Sequence, residues 1–304
     1  MKLSTTVSDF SKYCATVEEK IDHLYKAGFR YIDMSLYTPP KAPRLFGDDT
    51  WREEAARLRA YAEGKGMRFV MSHAPGHINP YEGDEEELIR TTNRAIEICE
   101  VMGIPSTVVH GGWLAGLTEE QFLDRTEAFF RRLLPTAERC GVNLLIENGT
   151  HGNFPKEWAF FYTGAQMRHF IDRMNHPLLH ACWDTGHGNT EGPQYENIVA
   201  LGEHLYALHV NDNHGFADDH TMPYFGTLNM DDLLCGLLDV GYKGYFNFEV
   251  VNPLPSPNHH RFPRHKFERD TRLLHSTLEM QDRVEELLYH IGEHCLRAYD
   301  CFEE

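Results

Sequence analysis

Short runs rich in Val, Ile, Leu, Tyr and Phe alternate along the chain with longer stretches in which apolar residues recur every three or four positions. The first pattern predicts β-strands and the second predicts amphipathic helices. The strand-like runs are KLSTTV (2–7), YIDMSLY (31–37), RFVMSHA (68–74), STVVHGG (106–112), NLLIENG (143–149), LLHACWD (178–184), YALHVND (206–212) and YFNFEV (245–250). Helical stretches such as TVEEKIDHLYKAG, TWREEAARLRAYAEGKG and LTEEQFLDRTEAFFRRLLPTAERCG lie between them. They open at Thr and close at Gly, the residues that supply N-terminal and C-terminal caps.

Strand followed by helix, repeated eight times, implies parallel strands joined by right-handed crossovers. At this length the pattern predicts an α/β protein built as a closed (β/α)8 TIM barrel, with a doubly wound open sheet as the alternative. No Pro- or Ser-rich linker breaks the alternation, so residues 1–304 are expected to form a single domain. The stretch 267–304 reads as a C-terminal helical segment, one long helix or a helix pair. The Pro-rich, locally basic NPLPSPNHHRFPRHKFE before it reads as a connecting loop, with a substrate lid as the alternative.

With 304 residues and 41% hydrophobic content, the chain can bury a sizeable core. Its formal charge of -17 opposes broad binding to a phosphate backbone, so nucleic acid is not an expected partner. The seven cysteines form no CxxC pair, which points to reduced thiols rather than a disulfide framework. The N-terminal residues lack the basic patch and apolar run of a secretory signal, and no run approaches membrane-spanning length. A cytoplasmic protein without a membrane partner is expected.

From the third strand onward, each predicted strand ends on a residue able to bind a metal: His73, His110, Glu147, Asp184, His209 and Glu249. Their spacings of 37, 37, 37, 25 and 40 residues each match one barrel unit. In a closed barrel such ends converge on one mouth, where barrel enzymes keep their chemistry. Any one of the 19 histidines is ordinarily a surface residue or a hydrogen-bonded core residue, but six polar strand ends in register are hard to explain by packing. His187 follows on the turn after Asp184, and Asp218 and His220 form a further acid-x-His pair. Glu147, Asp184, His209 and Glu249 make an oxygen-rich set suited to Mn2+, Mg2+, Co2+ or Zn2+. His73, His110, His187 and His220 could supply further imidazoles, which would shift the balance toward Zn2+. Neither GxGxxG nor a Walker sequence occurs, so no organic cofactor is expected.

SHAPGHINP, VVHGG, LLIEN, WDTGH, LHVNDN, DDH and FNFEV, in this order, resemble the xylose isomerase-like barrels. That superfamily includes sugar and sugar phosphate isomerases and epimerases and the DNA-repair enzyme endonuclease IV. Its ketose 3-epimerase branch holds one metal at positions matching Glu147, Asp184, His209 and Glu249. The resemblance makes Glu147 and Glu249 the catalytic acid/base pair and His187 a contact to sugar oxygens. It implies enediolate proton transfer on a small carbohydrate, with Mn2+ as the expected ion. Gly215 and Asn153 depart from that branch, where Arg and Glu stand, so the substrate contacts differ. Positions matching the endonuclease IV zinc ligands are also present: His73, His110, Glu147, Asp184, His187, His209, Asp218, His220 and Glu249. The acidic segments flanking the mouth favour sugar chemistry over abasic-site cleavage.

Trp113, Trp158, Phe160, Phe161, Tyr162, Tyr224 and Phe225 are loop aromatics that could stack on a sugar or pack their own loops. Together with His73, His110, His187 and His220, Trp113 is an expected substrate contact. Lys41, Arg44, Lys156, Arg261, Arg264 and Lys266 sit in no phosphate cradle, so a neutral sugar or polyol is expected. The metal-bearing subunit of a C-glycoside-cleaving enzyme, which requires a partner subunit, and a non-catalytic sugar sensor remain alternatives. A homo-oligomer, in which a neighbour's loop completes the mouth, also stays open.

Overall fold

The computed structural model describes residues 1–47, 49–152, 160–251, 253 and 277–304. Strands β1 (Lys2–Thr6), β2 (Tyr31–Ser35), β3 (Arg68–His73), β4 (Ser106–Val108), β5 (Asn143–Glu147), β6 (Leu179–Asp184), β7 (Leu205–His209) and β8 (Tyr245–Phe248) form one parallel sheet. Its order is β7-β6-β5-β4-β3-β2-β1-β8. The Val210 amide donates to the Asn247 carbonyl (2.7 Å) and the Glu249 amide donates to the Val210 carbonyl (3.1 Å), which joins the two edges. The expected barrel is thereby confirmed, and the open doubly wound sheet is excluded.

Around the sheet run α1 (Val17–Ala27), α2 (Pro43–Phe46), α3 (Trp51–Gly64), α4 (Glu85–Met102), α5 (Glu119–Cys140), α6 (Gly164–Met174), α7 (Thr185–Glu191), α8 (Gln194–Leu201), α9 (Met230–Asp239) and α10 (Leu278–Ala298). The Thr and Gly punctuation works as expected at α1 and α5. Thr16 and Thr118 form capping boxes with Glu19 and Gln121, and Gly28 and Gly141 end the helices at φ 117° and 66°. At α3 it does not, because Thr50 makes no side-chain cap and the helix stops at Gly64. Of the expected C-terminal segment, α10 is a single helix, while 267–276 lie outside the described residues. Among the described residues, no helix is long and apolar enough to cross a membrane.

Two rows of side chains fill the barrel. Met71, Val108, Leu145, Cys182 and Ala207 form a buried cluster separate from the larger core between sheet and helices. Two positions further along each segment stand His73, His110, Glu147, Asp184 and His209. Because successive strand side chains alternate faces, a residue and the one two positions on point the same way. The apolar row is therefore the floor of the polar one.

Three placements correct the sequence reading. His110 lies two residues past β4 and Glu249 one past β8, rather than within strands. His187 is on α7, not in an irregular turn. The shift at α7 arises because the Asp184 carboxylate caps the helix, accepting from the His187 amide at 2.7 Å.

Candidate metal centre

Glu147, Asp184 and His209 end β5, β6 and β7, and Glu249 follows β8, so the closing of the barrel brings them to one mouth. Each offers a ligand atom within 4.8 Å of the others. His209 Nδ1 lies 2.5 Å from Glu147 Oε1 and 3.4 Å from Glu249 Oε2. On the other edge of its ring, Nε2 is buried without a hydrogen-bond partner and faces Asp33 Oδ2 at 3.8 Å. Asp184 is fully buried, and Asn211 Nδ2 donates to its Oδ2 at 2.8 Å. The close packing of Gly186 against Asn211 preserves this contact, since a Cβ there would sit 1.9 Å from Asn211 Oδ1.

Further donors surround this set. His73, His110 and Glu147 form one close group, and Asp184, His187 and His220 another. His110 Nε2 lies 3.1 Å from His73 Nε2 and 3.2 Å from Glu147 Oε2. Asp218 spans two rings, with Oδ2 3.3 Å from His187 Nε2 and Oδ1 3.0 Å from His220 Nε2. His73, His187 and His220 each place Nδ1 on a backbone carbonyl, of Ala74 (2.9 Å), Asn148 (2.7 Å) and Glu249 (2.8 Å). A carbonyl can only accept, so each Nδ1 carries a proton and donates it. Each Nε2 is thereby presented to the mouth, the orientation that metal and substrate contacts need.

Burial disfavours charge throughout the centre, but its partners divide the carboxyls. Burial works against ionised Glu147, yet His209, His73 and His110 outweigh it and hold the carboxyl well below its usual range. For Glu249 burial wins over His209 and His220, and its carboxyl is pushed up. Burial would depress His187, but Asp184 and Asp218 push its imidazole up to about 10. This is a pocket built to attract positive charge.

A divalent cation suits that donor set. Three carboxylates and an imidazole crowded within one ligand-shell distance repel each other unless a cation lies among them, and oxygen-rich mixed donors fit Mn2+, Mg2+, Co2+ or Zn2+. Cys182 also comes near Glu147 and His209, but burial pushes its thiol up to about 12, so it stays a thiol. The cysteines of the described residues are free, as expected of reduced structural thiols.

The expected site residues His73, His110, Glu147, Asp184, His187, His209, Asp218, His220 and Glu249 all reach this mouth. Trp113 and Phe160 line the same cavity. Phe161 and Tyr162 instead pack inward; Phe161 meets Phe122 edge-on at 4.9 Å and Tyr162 stacks on His151 at 3.8 Å. Tyr224 and Phe225 are exposed and absent from the cavity wall, which excludes the stacking alternative for them in this cavity. Asn153, Lys156, Trp158, Arg261, Arg264 and Lys266 lie outside the described residues.

Asp33 and Tyr37 were missed by the sequence reading. Asp33 sits on β2, a strand that carries no donor at its end, and Tyr37 lies edge-on to His73 at 5.0 Å. The inward parity of Asp33 on YIDMS was the available signal.

The closed parallel barrel and its carboxylate-imidazole mouth define a class of barrel proteins with a metal-ready centre. The chain belongs to the xylose isomerase-like TIM barrel family, whose model matches residues 21–272. It is 24% identical to fructoselysine 3-epimerase of Shigella flexneri over 217 residues, 69% of this chain and 77% of that protein. An uncharacterized protein of Methanocaldococcus jannaschii is 25% identical, over 83% of this chain and 90% of its own. D-psicose 3-epimerase from Clostridium cellulolyticum H10, solved with D-tagatose, superposes with a TM-score of 0.74 at 18% identity, covering 97% of this chain and 99% of that one. A D-tagatose 3-epimerase-like protein gives 0.73 at 19% identity, covering 98% and 100%.

Proposed function

We propose that this chain is a divalent-metal-dependent isomerase or epimerase of sugars that moves a proton at the carbon beside a carbonyl between Glu147 and Glu249. The observation that carries the reading is the convergence of both glutamates, Asp184 and His209 on one ligand-sized space. The names of the similar fructoselysine 3-epimerase and D-psicose 3-epimerase support it.

Glu147, Asp184, His209 and Glu249 hold the ion. When bound, the ion polarises a carbonyl and its neighbouring hydroxyl, making the C–H between them more acidic. One glutamate removes that proton and the other returns it, at the same or the adjacent carbon. The Nε2 atoms of His73, His187 and His220 hydrogen-bond with sugar oxygens, His187 as a donor, and set the carbon's position between the carboxylates. Trp113 walls the cavity and offers its ring to an apolar sugar face.

The test combines metal content after purification without chelator with deuterium uptake from heavy water into a panel of ketoses. About one Mn, Co, Mg or Zn ion per chain, with exchange that chelation abolishes and the ion restores, is the expected result. Unchanged exchange in Glu249→Gln would sink the two-carboxylate mechanism.

A second reading rests on the same donors. They also fall into three overlapping groups, the disposition a multi-zinc phosphodiesterase uses. Two or three zinc ions per chain, with cleavage of abasic DNA and no deuterium uptake, would establish it over the first. The charge of -17 favours the sugar reading.

A further inference from the structure

The cavity at the mouth does not end at the metal centre. A continuous space of about 1010 Å³ runs from Glu147, His187 and Glu249 to Lys20, Lys41 and Arg44. Pockets of roughly 300–1,000 Å³ hold drug-sized ligands, so an unsubstituted monosaccharide leaves much of this space unfilled. Lys20 comes from α1, Lys41 from the single turn Pro39–Lys41 and Arg44 from α2. Ser35, Tyr37 and Thr38 line the wall and offer hydroxyls to a sugar chain.

This arm presents cations that carry no carboxylate partner among the described residues. Elsewhere Arg59, Arg90, Arg131, Arg132, Arg139 and Arg173 are each paired with carboxylates. Lys20, Lys41 and Arg44 form no ion pair among the described residues. Lys20 Nζ donates to Ser11 Oγ at 2.9 Å, and burial, followed by the neighbouring Lys41 charge, depresses its ammonium. The acids of the arm are already engaged: Arg57 takes Glu18 and, at 2.8 Å, Glu54. Glu19, at the start of α1, accepts from the Ala15 and Thr16 amides. Lys20 is half-buried and Lys41 and Arg44 stand exposed on the cavity wall, so an oxyanion seated among them makes charge-assisted hydrogen bonds and offsets the partial desolvation of the Lys20 ammonium.

We propose that this arm binds the oxyanion end of the substrate, so that the sugar handled at the metal centre carries a phosphate or carboxylate at its end remote from the reacting carbonyl. The sequence expectation of a neutral sugar rested on the lack of a phosphate cradle; the fold sets Lys41 and Arg44, with Lys20, on the wall of the substrate cavity. The proposal rests on the sugar reading of the centre.

Deuterium uptake is measured with a neutral ketohexose, its terminal phosphate ester and its terminal carboxylate counterpart, on metal-loaded wild type and on the Lys41→Ala/Arg44→Ala double variant. At least one anionic sugar should exceed the neutral one in kcat/KM by about tenfold or more, chiefly through KM, since each charge-assisted contact contributes on that order. Which anion gains identifies the oxyanion. The ratio of anionic to neutral kcat/KM should fall toward one in the double variant and recover in part in Lys41→Arg/Arg44→Lys. Equal rates for all three sugars in the wild type, or a preference that survives the double substitution, overturns the proposal.

If no ketose exchanges, the sugar reading fails, and the arm is tested separately by calorimetric titration of inorganic phosphate. Saturable binding to the metal-loaded wild type that is lost in the double variant supports an oxyanion site. Absent or unaltered binding overturns it.

Discussion

Carboxyl groups are buried at two places in this molecule, and Glu147 at one of them has the opposite outcome to Asp9 and Glu285 at the other. At the candidate metal centre Glu147, Asp184 and Glu249 stand among His73, His187, His209 and His220. Elsewhere Asp9 and Glu285 are as deeply buried, but among the described residues no imidazole pairs with them. Thr5 Oγ1 donates to Asp9 Oδ2 at 2.7 Å, and α10 supplies Glu285 together with Gln281. Burial, then the neighbouring Glu285, pushes the Asp9 carboxyl well up; burial outweighs the hydrogen bonds with Thr5, Asp9 and Gln281 and raises Glu285 to about 8. Glu285 favours its protonated form at neutral pH, and with Asp9 it forms a hydrogen-bonding link between the first strand and the last helix. The difference lies in the partners. The imidazoles of His209, His73 and His110 outweigh burial at Glu147 and favour its ionised form, whereas the hydroxyl and amide neighbours of Glu285 leave burial in command.

The comparison can be broken most severely at the centre. Glu147→Gln and Glu249→Gln should each lower deuterium uptake into a ketose substrate by about 10²- to 10⁴-fold, the usual worth of a proton-transfer group. Circular dichroism should show an intact fold, because the apolar floor of Met71, Val108, Leu145, Cys182 and Ala207 is untouched. A smaller effect is expected at Asp33→Asn. Asp33 is the charged group facing the outer edge of the His209 ring, and loss of such a partner commonly weakens metal affinity about 10- to 100-fold. Competition with a fluorescent chelator measures this, and an unchanged affinity would remove Asp33 from the support of the centre.

The smallest effect belongs to the protonated pair and is read in stability. In the folded chain Glu285 titrates near 8 against an ordinary 4.5, so the unfolded state loses the proton first as pH rises. Its stabilising contribution is therefore complete below about 4.5 and is lost progressively up to about 8. Wild-type Tm should fall across that window, by several degrees for a shift of this direction and size. Glu285→Gln should fall less steeply, and Asp9→Asn/Glu285→Gln should be nearly flat between pH 5 and 8. Parallel Tm profiles for wild type and the double variant would show that the pair is ionised in the fold.

Strand and helix alternation, the capping residues of α1 and α5 and the donors at strand ends were legible because each rests on local periodicity. A residue two positions beyond an inward apolar one must face inward as well, so Leu145 and Cys182 foretell Glu147 and Asp184. His110 and Glu249 were placed inside strands because the pattern cannot show where pairing stops. Whether Tyr224 and Phe225 stack on a sugar or pack their own loop stayed open because composition does not distinguish a ring facing the cavity from one facing water.

By itself the sequence determined an eight-unit α/β alternation, the identity of the donors and the register that puts them on one face of the sheet, since these depend on neighbours a few residues away. Tertiary structure alone decided which groups meet. It closed Val210 onto Asn247, set Asp33 behind His209 and brought Asp9 to Glu285 from opposite ends of the chain. It also turned Lys20, Lys41 and Arg44 into the same cavity as Glu147. The physical reason is that burial and electrostatic environment depend on distances across the barrel, which local periodicity does not specify.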